Sequence, residues 1–307
     1  MVANLINWAC YFVGLYYTGF IVSRFYIMAK PWLFPNDWSK YGRGSWAVIT
    51  GATDGIGWGY AQVLAMGGYN IVLIARNSEK LREKAQELIS KSNVEVRTIA
   101  KDFSECNRDP IHFFGDIQSQ ISDLDVSILV NNVGYAKLGQ LHTVPINVVT
   151  TQLSLNIWPI VYMTHNLLPH MMRRDRPCAI INLSAVGGSV VPFSGASVYC
   201  GGKAFDDYFS RTLAEEMKMY EAAGKSNHID VLSQRSAFVD TPLTRNAFRV
   251  QPLCITAVQN AEAGLRTLGR VNASHCHPKH WIFATLCKLT PLSLLNSSQR
   301  FKISKQA

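Results

Sequence analysis

The chain has 307 residues, of which 48% are hydrophobic and 17% charged, and its formal net charge is +9. The length suits one large domain, and no internal repeat or low-complexity tract indicates a second one. The excess of basic residues favours lipid headgroups or phosphates as partners. The alternative is that these residues simply solvate the surface. No nucleic-acid-binding motif accompanies the charge, so we expect no nucleic-acid partner.

The first segment of the chain is apolar. No charged residue occurs from Met1 to Ser23, and only Arg24 interrupts the apolar character up to Met28. About 20 apolar residues span a bilayer as a helix. A cleaved signal peptide would need a basic start and a small-residue cleavage site, and neither is evident. We therefore predict a membrane anchor over residues 1–29, with a buried or monotopic hairpin as the alternative.

Basic residues follow this anchor, and nothing basic except the amino terminus precedes it. Lys30, Lys40 and Arg43 continue the series begun by Arg24. The positive-inside bias then places the rest of the chain in the cytosol. The seven cysteines have no disulfide-like spacing, which fits reduced thiols in that compartment. We predict a linker over residues 30–45 and a cytosolic domain beyond it.

A glycine-rich turn follows the first predicted strand, Trp46–Ile49, and leads into a helix-like segment that begins near Gly59. A strand, a glycine turn and a helix N-terminus together place backbone N–H groups against a pyrophosphate. A chance turn is the alternative. The residues expected to hold a dinucleotide here are Thr50, Gly51, Thr53, Asp54, Gly55, Ile56 and Gly57.

Arg76 ends the second predicted strand, Asn70–Ala75. An acidic residue there would bind the ribose 2′-hydroxyl of NAD, whereas an arginine attracts the 2′-phosphate of NADP. We therefore predict NADPH as the cofactor, the alternative being a solvated arginine at a helix start. Asp102 follows the third predicted strand, Glu95–Ala100, and is expected to contact the adenine.

Two asparagines and a glycine follow the fourth predicted strand, Val126–Val130. Asn131 and Asn132 are expected to bond backbone on neighbouring strands, and Gly134 to admit the cofactor closely. Of the two asparagines, Asn131 is the one predicted to bind the cofactor, together with Gly134. A simple turn is the alternative.

Tyr199 and Lys203 lie one turn apart on the predicted helix Ser197–Ala223. On one helix face, the ammonium favours ionisation of the phenol, which makes a tyrosine usable in proton transfer at neutral pH. Taken alone, the pair also fits an ordinary surface contact.

The alternation of strands and helices predicts an α/β fold, a Rossmann-type doubly wound parallel sheet in a single domain with an N-terminal membrane anchor. Residues 46–280 form the NADP-binding domain and residues 281–307 an apolar, then basic tail, in which Pro291 argues against a continuous helix. No metal site is expected, since His275, Cys276, His277 and His280 are too crowded for usual zinc spacing. The other predicted helices are Ser78–Ser90, Arg108–Ser122, Asn147–Arg173 and Thr256–Leu268.

From Trp46 to Leu268 these motifs resemble, in their order, the short-chain dehydrogenase/reductase family. The motifs are the glycine turn, Arg76, Asp102, Asn131 to Gly134, Asn156, Ser184 and the Tyr199/Lys203 pair. Within the family, the Asn-Asn-Val-Gly form, the apolar N-terminal extension and the region around Trp281 most resemble two membrane-bound groups. These are the very-long-chain 3-oxoacyl-CoA reductases and their 17β-hydroxysteroid dehydrogenase relatives. The resemblance implies that the protein lies in the endoplasmic reticulum membrane.

The resemblance implies a role for each catalytic residue. Tyr199 would protonate the substrate carbonyl, Lys203 would lower the pKa of Tyr199 and hold the nicotinamide ribose, and Ser184 would bond the same carbonyl. Asn156 would hold a water that links Lys203 to solvent. Such preset donors stabilise a developing oxyanion.

One departure from the family pattern follows the sixth strand, predicted at residues 228–235. Ser236 and Ala237 stand where the family usually has Pro-Gly, whose backbone covers the nicotinamide. Val239 and Thr241 still fit the family's Val-x-Thr pattern and are expected to contact the cofactor. The departure leaves room for a slow or silent enzyme.

The predicted function is NADPH-dependent reduction of a lipid carbonyl, namely 3-oxoacyl-CoA to 3-hydroxyacyl-CoA in fatty acid elongation. The alternatives are reduction of a 17-ketosteroid, reduction of another lipid carbonyl such as retinal or a sphingoid ketone, and an inactive scaffold. The expected partners are the lipid substrate and the membrane, with a homodimer left open.

Overall fold

The apolar segments between the helices form one seven-stranded sheet in the computed structural model, which describes residues 2–245 and 251–295. All neighbouring strands are parallel, in the order β3-β2-β1-β4-β5-β6-β7. The strands are β1 (Trp46–Thr50), β2 (Asn70–Ala75), β3 (Val96–Ala100), β4 (Val126–Asn131), β5 (Cys178–Ala185), β6 (Ile229–Ser236) and β7 (Ala273–Ser274).

The helices predicted in the domain are all present, with shifts of a few residues at their ends. Helix α2 starts at Gly55 rather than near Gly59, and α4 ends at Ser119 rather than Ser122. Helix α4 starts at Pro110 because Asp109 caps it by accepting a hydrogen bond from the His112 N–H. The helices are α1 (Val2–Leu33), α2 (Gly55–Met66), α3 (Ser78–Lys91), α4 (Pro110–Ser119), α5 (Ile146–Met172), α6 (Val186–Ser189), α7 (Ser197–Ala222), α8 (Pro242–Arg245), α9 (Ala257–Thr267), α10 (Pro278–Leu289) and α11 (Leu292–Leu295).

Helices cover both faces of the sheet, which confirms the doubly wound α/β fold. One core contains buried side chains of α2, α3 and α9, among them Leu64, Leu81 and Leu265. The second core contains those of α4, α5 and α7, among them Phe114 and Leu213. The strand order reverses between β1 and β4, so a crevice for ligands is expected outside the carboxyl ends of these strands.

Helix α1 stands apart from this domain. Its stretch Ile6–Leu33, of 28 residues, is long and apolar enough to cross a membrane, and its most apolar window is not buried. Its C-terminal part meets the domain, where Phe25 packs edge-on against Trp281 with ring centroids 5.9 Å apart. The Arg266 guanidinium lies over Trp32 at 4.8 Å.

The C-terminal tail packs on the domain through α10. Ala284 and Cys287 are buried with Val186 and Val191. The helix ends before Pro291 and α11 begins after it, so the predicted interruption is confirmed. Residues 296–307, which include the basic end of the tail, lie outside the described residues.

Candidate active site

The predicted functional residues converge on the carboxyl edge of the sheet. Gly51 follows β1, Arg76 follows β2, Asp102 lies just beyond β3 and Gly134 beyond β4. Ser184 lies near the carboxyl end of β5. Motifs that are far apart in the chain therefore lie side by side at the ends of neighbouring strands, around the crevice between β1 and β4.

The glycine turn has no room for side chains at its decisive positions. Gly51 and Gly55 have φ values of +64° and +52°, in the left-handed region that favours glycine. A Cβ atom at Gly57 would lie 2.4 Å from the Gly51 carbonyl oxygen. Such close backbone approach forms a cradle at the N-terminus of α2 that suits a phosphate group.

Asp54 shapes the entrance to this turn. Its carboxylate accepts a hydrogen bond from the Gly55 N–H at 2.8 Å and pairs with Lys80 of α3 at 2.7 Å. Thr53 and Ile56, also predicted to contact the cofactor, lie beside it and are partly exposed.

The two asparagines after β4 have different partners. Asn132 Nδ2 donates to the main-chain oxygens of Thr50 and Gly51 at 3.0 and 3.1 Å, as expected. Asn131 instead bonds side chains, donating to Asn182 Oδ1 at 2.9 Å and to Thr164 Oγ1 at 3.1 Å. Consecutive residues at a strand end point to opposite sides, so only one of the two reaches the turn. Asn132 is thus a site residue that the predicted set omitted.

Thr50 joins the same contact from β1. Its hydroxyl oxygen accepts hydrogen bonds from the N–H groups of Asn132 and Val133, at 3.0 and 3.2 Å. Hydrogen bonds therefore join the turn directly to the end of β4.

Arg76 and Asp102 lie at the outer end of the crevice. Arg76 is exposed and forms no ion pair with the described residues. The Asp102 side chain accepts a hydrogen bond from the Ser104 N–H at 2.9 Å. The Arg76 charge is accordingly available to an anion.

Lys203 and Asn156 meet at Gly134. A Cβ atom at Gly134 would lie 3.0 Å from Asn156 Oδ1 and 3.3 Å from Lys203 Nζ. Asn156 Nδ2 donates to the carbonyls of Tyr135 and Gln152, at 2.8 Å each. These bonds hold the amide oxygen beside Gly134, where it accepts a hydrogen bond from the Tyr135 N–H at 3.2 Å.

Ser184 is tied to the lysine backbone. Its hydroxyl donates to the Lys203 carbonyl at 2.7 Å, while Lys203 Nζ donates to the Leu183 carbonyl at 2.6 Å. Strand β5 and helix α7 are thus joined at the site, and the single Ser184 proton is used in this bond.

Burial dominates the ionisation of Tyr199. Burial raises the pKa of the phenol above its usual value, whereas the Lys203 charge lowers it. Burial also lowers the pKa of Lys203, but Asp206 and Tyr199 together outweigh this effect and the net pKa is raised. Lys203 therefore stays a cation, and Tyr199 stays a protonated donor whose hydroxyl has no hydrogen-bond partner in residues 2–245 and 251–295.

The segment after β6 lies over the glycine turn. Thr241 is so close that a Cβ atom at Gly55 would lie 3.0 Å from its methyl carbon. Val239 forms an isolated parallel bridge with Ile255. Ser236, in place of the family proline, donates to Asn260 Oδ1 at 3.0 Å. A side-chain bond thus fixes the segment that Pro-Gly would otherwise make rigid.

A cleft of 720 Å³ opens beside α7, lined by residues 187–194, the start of α7 and Leu292. Its α7 residues, Cys200, Gly201 and Ala204, face away from Tyr199 and Lys203 on the helix. Tyr199 and Lys203 are therefore not among the residues that line this cleft.

The histidines near the C-terminus bond backbone. His275 Nδ1 lies 3.0 Å from the Arg235 carbonyl and His280 Nε2 lies 3.0 Å from the Phe238 carbonyl. Burial lowers the pKa of each to about 4, so both are neutral at pH 7. Within the described ranges, no group of three or more metal-binding side chains occurs.

Known proteins resemble this chain in sequence over most of its length. The chain is 35% identical over 262 residues to a very-long-chain 3-oxoacyl-CoA reductase of Danio rerio, a match that covers 82% of this chain and 78% of the relative. The corresponding protein of Rattus norvegicus is 35% identical over 254 residues, covering 81% and 76% of the two chains.

Solved structures share the fold. A short-chain dehydrogenase from Sphingobium yanoikuyae in complex with NADPH superposes with a TM-score of 0.62 at 25% identity, covering 72% of this chain and 83% of the other. A 7β-hydroxysteroid dehydrogenase gives a TM-score of 0.71 at 20% identity, covering 82% and 97%. The model of the short chain dehydrogenase family matches residues 45–251. With the glycine turn, the Tyr199/Lys203 pair and the sheet all in place, the chain belongs to the short-chain dehydrogenase/reductase family of oxidoreductases.

Proposed function

We propose that this protein uses NADPH to reduce a long-chain 3-oxoacyl-CoA to the 3-hydroxyacyl-CoA. The main support for this proposal is that Lys203, Asn156 and Gly134 lie together at the same sheet edge as the glycine turn. When bound, the cofactor supplies a hydride to the carbonyl carbon. The residues present fit it, because the cradle at Gly57 has no space for a side chain and Arg76 has no competing ion pair among the described residues.

The chain itself supplies the proton. Tyr199 donates its hydroxyl proton to the carbonyl oxygen as negative charge develops there. Lys203 stabilises the resulting phenolate, because its ammonium lies one turn away on the same helix face. Asn156 holds the water through which the phenolate is reprotonated. One hydride and one proton thus convert the ketone to an alcohol.

Ser184 is proposed as the second donor to the carbonyl oxygen. To fill this role its hydroxyl must exchange the Lys203 carbonyl for the substrate. Ser184→Ala separates the two roles: a donor to substrate predicts a loss of about 2 to 4 kcal/mol of transition-state stabilisation. A purely structural serine predicts a lower melting temperature with unchanged kcat.

The substrate class follows from the relatives and from the charge of the chain. Both reported relatives are named very-long-chain 3-oxoacyl-CoA reductases. A net charge of +9 favours the phosphates of coenzyme A, and an apolar helix brings the protein to a lipid source. A 17-ketosteroid is the second candidate, since it is equally lipid-soluble.

The test uses the detergent-solubilised protein, NADPH and a panel of 3-oxoacyl-CoAs, steroids and retinal, following loss of the reduced cofactor. Turnover of the acyl-CoA is expected to fall with rising salt, whereas turnover of a neutral steroid hardly responds. Reduction of steroids or retinal, with no turnover of any 3-oxoacyl-CoA, refutes the proposed substrate. No turnover of any carbonyl, with NADPH still bound, indicates the inactive scaffold.

We also propose that α1 spans the endoplasmic reticulum membrane with the domain in the cytosol. The support is the apolar stretch Ile6–Leu33 and the basic residues Lys30, Lys40 and Arg43 that follow its apolar part. Deletion of residues 2–24 is expected to release the protein from membranes with its NADPH affinity retained. Protease treatment of intact microsomes tests the orientation, and a protected domain contradicts it. The homodimer stays a prediction, to be tested by light scattering of the solubilised protein.

A further inference from the structure

A buried carboxylate contacts the lysine of the proposed active site. Asp206 lies one turn beyond Lys203 on α7, and its Oδ2 atom is 2.8 Å from Lys203 Nζ. The two side chains are 3% and 7% exposed, so water hardly screens this ion pair. Asp206 Oδ1 is buried and has no hydrogen-bond partner among the described residues. The mechanism outlined for Tyr199 does not use this carboxylate.

The ion pair limits what Lys203 can do. An ammonium group has three N–H donors. One is given to the Leu183 carbonyl and one to Asp206, which leaves one for the cofactor ribose. The negative charge of Asp206 also offsets the positive charge that Lys203 presents to the Tyr199 phenol.

We propose that Asp206 is a positioning residue that fixes the Lys203 ammonium and keeps Tyr199 protonated, which favours carbonyl reduction over the reverse oxidation. This inference rests on the proposed role of Tyr199 as the proton donor. A lysine without a carboxylate partner would stabilise the phenolate more strongly, and the enzyme would then have less of its acid form at neutral and alkaline pH.

The surroundings of Asp206 allow this effect. The charged and titratable groups near it are Lys203, Tyr199 and Asp207, all on α7. Asp207 is held by Arg235 of β6 through hydrogen bonds of 2.7 and 2.9 Å. The groups of other elements that lie beside the Lys203 ammonium, the Leu183 carbonyl of β5 and the Asn156 amide of α5, are uncharged. Burial raises the pKa of Asp206 and Lys203 lowers it, and the net pKa is raised.

The experiment measures the ionisation of Tyr199 directly in the full-length solubilised protein. The ultraviolet absorbance change of the phenolate is recorded against pH for each protein and for the same protein carrying Tyr199→Phe. The difference isolates this phenol, over the pH range in which circular dichroism shows an intact fold. Asp206→Asn removes the charge and keeps the shape. The expected result is a shift of the phenol titration by about one pH unit towards lower pH.

The matched control is Asp116→Asn, which removes the carboxylate of another lysine ion pair, with Lys101 on the protein surface. It is expected to leave the Tyr199 titration unchanged. Asp206→Ser is a second neutral variant with the same expected shift, in case the asparagine variant does not fold. If folded Asp206 variants titrate like the wild-type protein, the inference is wrong.

A second readout separates this inference from the proposed function. In Asp206→Asn, the alkaline limb of the pH profile for carbonyl reduction is expected to shift with the phenol titration. If the phenol titration shifts but no protein reduces any carbonyl, the effect of Asp206 stands and the proposed function is wrong. If the variants reduce 3-oxoacyl-CoA with an unshifted titration and pH profile, only the effect of Asp206 is refuted.

Discussion

Replacing Arg76 with alanine is expected to remove the preference for NADPH over NADH. Arg76 follows β2 directly, is exposed and has no ion pair with the described residues, so its guanidinium can meet a 2′-phosphate without breaking another contact. A hydrogen bond to a charged group contributes about 1.5 to 3 kcal/mol, and exposure places this contact near the lower limit. About 1.4 kcal/mol corresponds to a tenfold change in affinity.

Fluorescence titration of both cofactors measures this preference. The wild-type protein is expected to bind NADPH at least tenfold more tightly than NADH, on the order of the 1.4 kcal/mol above. Arg76→Ala should weaken NADPH alone, and added salt should reduce the difference in the wild-type protein. The matched control is Arg82→Ala, which removes an exposed charge further along α3. Equal wild-type affinities, or an equal loss for both cofactors in Arg76→Ala, would refute the assignment.

Two further predictions concern the turn and pH. Gly57→Ala places a methyl group 2.4 Å from the Gly51 carbonyl, so we expect lost NADPH binding and a lower melting temperature. Gly115→Ala is the control, because the added methyl group meets open space and should stabilise the helix by about 0.5 to 1 kcal/mol. If Gly57→Ala and Gly115→Ala have similar effects, this reasoning is wrong. Burial lowers the pKa of His228, but the carboxylates of Asp230 and Glu221 outweigh it and raise the pKa. This contribution to stability is complete below the unfolded pKa of about 6.5 and is lost as pH rises through the higher folded pKa. The melting temperature of His228→Gln should lack this pH dependence. If the variant keeps the pH dependence of the wild-type protein, the ion pairs of His228 with Asp230 and Glu221 are not its cause.

The sequence was sufficient to predict the fold and to predict that the candidate site residues lie together at one edge of the sheet, because both depend on local patterns. The glycine turn, the strand ends and the Tyr199/Lys203 spacing each require only a few neighbouring residues. The different partners of Asn131 and Asn132 were not predictable, because they depend on which side of a strand end each side chain takes. The bond from Ser184 to the Lys203 carbonyl depends on how closely β5 and α7 approach.

The ion pair of Lys203 with Asp206 was partly predictable from the sequence, although it was not predicted. A lysine and an aspartate three residues apart lie on one helix face. That this pair is buried rather than solvated follows only from the packing of α7 against β5, which joins residues distant in sequence.

Deuteride transfer tests the central claim most directly. Solubilised protein is mixed with a long-chain 3-oxoacyl-CoA and NADPH deuterated at the transferable position, and the product is examined by mass spectrometry. The wild-type protein is expected to give 3-hydroxyacyl-CoA with deuterium at C3, whereas Tyr199→Phe should give none while binding NADPH with nearly unchanged affinity. Undiminished labelling by Tyr199→Phe, or no labelled product from wild-type protein saturated with NADPH, would contradict the account.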